Sequence, residues 1–175
     1  LKGPQGALYG RNAIAGVINL TTKRPTKEFG ADFKAGFSSG ETSDLFAALS
    51  GPLGSDKVLA RLTVKHHDTD GMIDNTFNGD PLDHDENTKA TLRMLFEATE
   101  KLTFDLRGSY FKQDTGALWF SAADVLGTTG GRTTESMAKL KPSQNEPGFT
   151  DRKVKDVSLT AEYAADFGTF TSITA

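Results

Sequence analysis

Apolar residues return at every second position over most of this chain. In "DKVLARLTVKHHD", Val58, Ala60, Leu62 and Val64 alternate with Arg61, Thr63 and Lys65, the period of an extended strand with two unlike faces. "TKATLRMLFEAT" sets Ala90, Leu92, Met94, Phe96 and Ala98 against Thr91, Arg93 and Glu97. "LTFDLRGSYF" sets Leu102, Phe104, Leu106 and Tyr110 against Thr103, Asp105, Arg107 and Ser109. "VKDVSLTAEYA" sets Val157, Leu159, Ala161 and Tyr163 against Asp156, Ser158, Thr160 and Glu162. "GADFKAGF", with Ala31, Phe33, Ala35 and Phe37 outward, and "DLFAALSG" obey the rule less cleanly, and "TFTSITA" reads as a further strand at the end of the sequence. The pattern predicts an all-β chain of about seven strands.

A half-solvated sheet in a water-soluble protein has the same period, so the links between strands carry the next step. "GPLGSDK", "TEK" and "DFG" are short. The links interleaved with them lengthen from "SSGETS" through "GMIDNTFNGDPLDHDENT" to the stretch from about Thr115 to Asp151. Tight turns at one end and long loops at the other are the habit of an outer-membrane β-barrel. Phe96, Phe104, Tyr163, Phe167 and Phe170 fall beside the short turns, and Phe37, Tyr110 and Phe111 near the loop ends, where two interfacial girdles would stand.

Faces follow from the arginines. At mid-bilayer an Arg or Lys toward lipid costs roughly 2–4 kcal/mol, so Arg61, Arg93 and Arg107 must turn inward and the even positions of 89–98 and 102–110 outward. Residues opposite one another in an antiparallel pair share a face. Paired numbers in this hairpin must therefore sum to an even value, which asks for an odd-length turn such as Thr99, Glu100 and Lys101. A two-residue turn on Glu100 and Lys101 would set Phe96 opposite Asp105 unless a bulge restores the register. A three-residue turn sets Arg93 opposite Arg107; a five-residue turn sets Glu97 opposite Asp105.

Composition narrows the classes. The 175 residues are 37% hydrophobic and 25% charged, unlike a disordered segment. A net charge of -3 and a pI near 5.6, with no Lys/Arg cluster, argue against a nucleic-acid partner. The absence of cysteine removes disulfides and thiolate metal sites. No apolar run reaches the roughly 18 residues a membrane helix needs, "IAGVINL" being the best candidate; a strand-built span is untouched by that test.

The opening stretch, "LKGPQGALYGRNAIAGVINLTTKRP", decides between the remaining architectures. It resembles the end of the plug domain of TonB-dependent outer-membrane receptors, where (R/K)GPxGxLYGxxAxGGVINxxTK(R/K)P leads into the first barrel strand. Lys2, Gly3, Pro4, Gly6, Leu8, Tyr9, Gly10, Ala13, Gly16, Val17, Ile18, Asn19, Thr22, Lys23, Arg24 and Pro25 match. Lys2 stands where Arg is frequent, and Ala15 where the first glycine of the pair is usual. "SGPLGSDKVLARLTVKHHDTDGMIDN" also looks like that family's second and third strands with their periplasmic turn. Neither a phosphate-binding loop nor a dinucleotide fingerprint fits these glycine spacings.

The resemblance implies a fragment: residues 1–25 as the C-terminal segment of a plug, and residues 26–175 as about seven strands of a barrel of about 22, with an opening cut mid-motif. It implies the outer membrane of a Gram-negative bacterium, contact with membrane lipid, and energy coupling to TonB through a region outside this sequence. It also implies uptake of a scarce large solute such as a ferric siderophore, haem or cobalamin. The motif residues would shape and seat the plug. Arg61, Lys65, Arg93, Glu97, Asp105, Arg107 and Glu162 would face the lumen as plug contacts or pore lining.

Other chemistry is sparse. His66, His67 and His84 lie among Asp68, Asp70, Asp83, Asp85 and Glu86, and His with carboxylates suits a metal. A calcium loop begun at Asp74 places Asn78 and Gly79 well, but Thr76, Pro81 and the short Asp85 spoil it, so a hydrophilic external loop is the expectation. Leu118, Trp119 and "FSAADVL" read as a packed loop anchor rather than a ligand-touching helix. No Ser/His/Asp or Cys/His arrangement occurs and no cofactor is implied, so the chain is not expected to be an enzyme. A structural or adhesive β-barrel or sandwich is the alternative from another class. If the barrel reading holds, light scattering of the chain in detergent-free buffer shows large, polydisperse assemblies, because open edges and an apolar face invite association; a compact, stable monomer contradicts it.

Overall fold

The computed structural model of the chain describes Gly3, Gly16 and residues 22–116, 142–146 and 148–175. Within these run β1 (Gly30–Ser38), β2 (Thr42–Ser55), β3 (Val58–Thr69), β4 (Asp85–Glu97), β5 (Leu102–Gly116), β6 (Phe149–Ala165) and β7 (Gly168–Thr174). Each strand pairs antiparallel with its sequence neighbour in one sheet of order β1-β2-β3-β4-β5-β6-β7. The all-β expectation holds, as an up-and-down meander whose outer edges, on β1 and β7, have no strand partner among the described residues. This is the connectivity of a barrel wall laid open.

The register separates the chemistry of the two faces. Leu49, Leu62, Leu92 and Gly108 lie in one cross-strand row, and Val58, Phe96, Phe104 and Ala161 in another, all on the same side. Phe33 and Phe37 of β1 join that side opposite Ala47 and Ser43 and are 74% and 80% exposed. Phe96 stacks on Phe104 with ring centroids 6.3 Å apart, Phe167 meets Phe170 edge-on at 5.8 Å, and Tyr163 is paired with Phe170. These rings form a band along the short-turn end. On β5 the apolar positions run from Leu102 to Tyr110, close to the 9–11 residues of a tilted span. Phe111, expected in the upper girdle, is corrected by the register: it pairs with Lys89 and Val154 on the polar face, because only alternate residues of a strand share a side.

Two turns show how register is kept. In the β4–β5 hairpin Thr99 and Leu102 exchange backbone hydrogen bonds of 3.2 and 3.4 Å around Glu100 and Lys101, whereas the ladder proper begins at Glu97 opposite Thr103. Ala98 is the residue left over. It acts as the bulge that lets a two-residue turn coexist with even-sum pairing, so that Phe96 faces Phe104 and Arg93 faces Arg107. In the β2–β3 hairpin the stretch read as a link, "GPLGSDK", belongs mostly to β2: Pro52 pairs with Leu59, the register shifts, and Ser55 pairs with Val58 around Asp56 and Lys57. Pro52 lacks a donor and Gly54 takes a φ of 70°, which is how a strand absorbs both residues at a bulge.

At the opposite end the strands run further than their apolar alternation. β4 starts at Asp85 and β6 at Phe149, with His66, Thr88, Lys112 and Lys153 in one row of the apolar side and Asp68, Glu86, Asp114 and Asp151 in the next. Both faces are polar there, so the sequence shows no period. The sheet's two faces make unlike demands on a charge. On the barrel reading, Leu159→Arg is expected to cost roughly 2–4 kcal/mol of folding free energy in lipid vesicles, and Thr160→Arg, one residue on and facing Asp105, clearly less. Urea unfolding of the two variants checks this, and equal losses would contradict the face assignment.

Candidate functional site

The polar face is built in rows. Ser50, Arg61, Arg93, Arg107 and Ser158 form one, and Ala48, Thr63, Thr91, Ser109 and Asp156 the next. Phe46, Lys65, Lys89, Phe111 and Val154 follow. On the short-turn side of the arginines lie Leu59, Leu95 and Asp105, then Glu97, Thr103 and Glu162. Arg61, Lys65, Arg93, Glu97, Asp105, Arg107 and Glu162, singled out from the sequence, thus share this face. Lys89 was missed, although its odd number in β4 marks it by the same alternation as Arg93.

Like charges directly opposite one another repel, and the arginine row survives through unequal compensation. Arg93 donates through Nε and Nη2 to Asp105 at 2.9 and 2.6 Å, and both side chains are about 15% exposed. Arg61 reaches Asp32 of β1 at a looser 3.4 Å. The Nε of Arg107 is buried and has no hydrogen-bond partner among the described residues. Asp156, one row away, takes the hydroxyl of Ser109 instead.

The segment before β1 lies on this face. The third Arg93 nitrogen, Nη1, donates to the Thr22 carbonyl at 2.8 Å. Thr26 donates its backbone N–H and its hydroxyl to Ser50 Oγ at 2.9 and 2.8 Å. Residues 22–26 therefore pass from β4 to β2 before turning into β1. Pro25 is buried along the way, as are Ala48, Ser50, Leu59 and Leu95 of the sheet. Of the motif residues, Gly3, Gly16, Thr22, Lys23, Arg24 and Pro25 are described; Lys2, Pro4, Gly6, Leu8, Tyr9, Gly10, Ala13, Val17, Ile18 and Asn19 lie outside the described residues.

The long-loop end carries a second construction. Asn75 is fully buried; its Nδ2 donates to the Gln144 carbonyl at 2.7 Å, and its Oδ1 accepts from the N–H of Gln144 and of Phe77. Thr76 donates its N–H and hydroxyl to the Pro142 carbonyl. The 70–84 loop is thereby stapled to residues 142–144, a contact no local pattern announces. Asp83 braces the loop's other limb by accepting from the N–H groups of Met72 and Ile73. Gly116 donates to the His84 carbonyl at 2.9 Å, where any side chain would strike the Leu82 carbonyl.

The histidines are dispersed: His66 bonds Thr88, His67 bonds Asp44 at 3.0 Å, and His84 stands 3.9 Å from Asp114. Among the described residues no group of three or more His, Asp or Glu side chains is placed to hold a metal ion. Leu118, Trp119 and the "FSAADVL" stretch lie outside the described residues.

One face of the sheet thus carries an apolar belt and the other carries charge and a crossing segment. The chain is 33% identical over 79 residues to proteins called pesticin receptor from Yersinia enterocolitica and from Yersinia pestis. The match takes in 45% of this chain and 12% of the length of each relative. No protein-family model matches. The likeness is to a receptor.

Because the Arg93–Asp105 pair is largely buried, loss of either partner leaves the other charge stranded. Arg93→Ala and Asp105→Ala are each expected to lower stability by about 3 kcal/mol, with the double variant losing clearly less than the sum. Urea unfolding of all three checks this; full additivity would show that the two residues do not act as a unit.

Proposed function

We propose that the chain is part of a TonB-dependent outer-membrane receptor: residues 1–25 the last segment of its plug and residues 26–175 the first strands of its barrel. The observation that carries this reading is the crossing of residues 22–26 over the charged face, anchored by Arg93 and Ser50, while the opposite face keeps its phenylalanines and leucines exposed. A water-soluble sandwich would cover that apolar face. The reading is supported by the motif match at residues 2–25 and by the partial likeness to the pesticin receptors.

On this reading the apolar belt meets lipid and the arginine row lines the lumen. The short turns lie in the periplasm, and the stapled loops stand outside the cell, where a large solute such as a ferric siderophore is first met. TonB, acting through a part of the receptor beyond these residues, moves the plug and opens a path. The motif residues perform no bond chemistry; their work is to hold the plug's end against the wall. In a strain lacking the gene, growth under iron limitation is expected to fail on one or a few chelated iron sources and to return with the intact gene. The same sources should fail in a strain lacking TonB. Undiminished growth on every iron chelate, haem and cobalamin source would overturn the assignment.

A further inference from the structure

We propose that the recess between the crossing segment and the charged face binds a small tetrahedral oxyanion such as inorganic phosphate or sulfate. It has a volume of about 100 Å³ and is lined by Thr22, Lys23, Arg61, Thr63, Thr91 and Arg93. Every one of these side chains is a cation or a hydroxyl. A volume of this order holds several water-sized bodies, enough for one such anion.

Among the described residues, cations outnumber carboxylates around the recess. Arg61, Arg93 and Arg107 are neighbours in one row, and Lys65 and Lys89 face each other two rows beyond. The carboxylates nearby are Asp32, 3.4 Å from Arg61, Asp105, engaged by Arg93, and Asp156, turned to Ser109. The crossing segment brings no remedy: residues 22–27 contain Lys23, Arg24 and Lys27 and no Asp or Glu. The whole chain is nonetheless net acidic at -3, so this excess of positive charge is local.

Arg93 is already directed by Asp105 and Thr22, which leaves Arg61 and Lys23 to engage the anion. Arg61 keeps a planar fork and only one long contact, and a guanidinium meets an oxyanion with two parallel donors. The hydroxyls of Thr63 and Thr91, opposite one another on β3 and β4, supply the neutral donors that fix its orientation. Such an anion would join the crossing segment to the wall through Lys23 on one side and Arg61 on the other.

The proposal rests on the receptor reading, since it needs the wall and the crossing segment held together, and the test separates the two. The full-length protein is purified in detergent, and its barrel is verified by heat-modifiable mobility on electrophoresis and by β-type circular dichroism. Failure at that step defeats the receptor reading. With the barrel intact, calorimetric titration with phosphate and with sulfate, in chloride buffer of matched ionic strength, is expected to show saturable binding. Arg61→Gln and Lys23→Gln should each weaken it by about tenfold, the loss of one charge-assisted contact. Lys155→Gln, on the opposite face, should leave it unchanged. An intact barrel with no saturable binding overturns the proposal. Equal weakening by Lys155→Gln does so too, by reducing the effect to general charge.

Discussion

Arg61, Arg93 and Arg107 stand side by side across β3, β4 and β5, and the need to keep these charges off the leucine and phenylalanine face governs the sheet around them. Because side chains alternate along an unbulged strand, placing one arginine inward settles the faces of its neighbours up to the next bulge. Pairing then transmits the choice to the next strand. The leucine and phenylalanine belt lies on the side opposite the arginines, and the crossing segment is anchored on the arginine side by Arg93 and Ser50. The arginines also create the difficulty that the polar face must resolve, since three like charges in a row need oxygen atoms close by. Asp105 supplies them generously to Arg93, Asp32 sparingly to Arg61.

What was legible in the sequence was whatever depends on contrast between the faces. Over 58–64, 90–96, 102–110 and 157–163 the contrast is sharp, and the strands fell where the alternation put them. Over 65–69, 85–89, 112–116 and 149–155 both faces carry polar residues, so β3 to β6 extend past the point where the period fades. Pro52 and Gly54 looked like the end of a strand because each is unfavourable within a regular ladder, yet a bulge accommodates both. Phe111 misled through its type, its parity being the better guide.

The site was partly legible for the same reason. Charged residues at odd positions of β3 to β5 could be assigned to one face, but their partners could not, because Asp32 lies on β1 and Thr22 beyond it. Asn75 gave no sign at all. Its partner Gln144 is 69 residues away and contributes only backbone atoms, which leave no mark in a sequence. The polar atoms that hold the loops together are thus the least readable part of the molecule, while the apolar belt is the most readable.

The single extra residue at Ala98 has a consequence for how this hairpin can change in length. Losing Ala98 while keeping the Glu100 and Lys101 turn would leave Glu97 opposite Thr103 and Phe96 opposite Phe104, because the residue removed is the one the ladder already skips. Drawing Ala98 into regular pairing with Thr103 would do the damage instead, since it shifts β5 by one, brings Asp105 opposite Phe96 and turns the charges of a whole strand to the apolar side. The short-turn end therefore tolerates the loss of one residue at the bulge, whereas a one-residue loss inside the ladder is made good only if Ala98 is taken up into the pairing. The 70–84 loop joins its strands through irregular backbone and carries no such counting rule. Over generations the two ends of the sheet would accumulate length variation to different extents, and a family of such chains would differ widely in its loops while its turns varied by little more than the residue at the bulge.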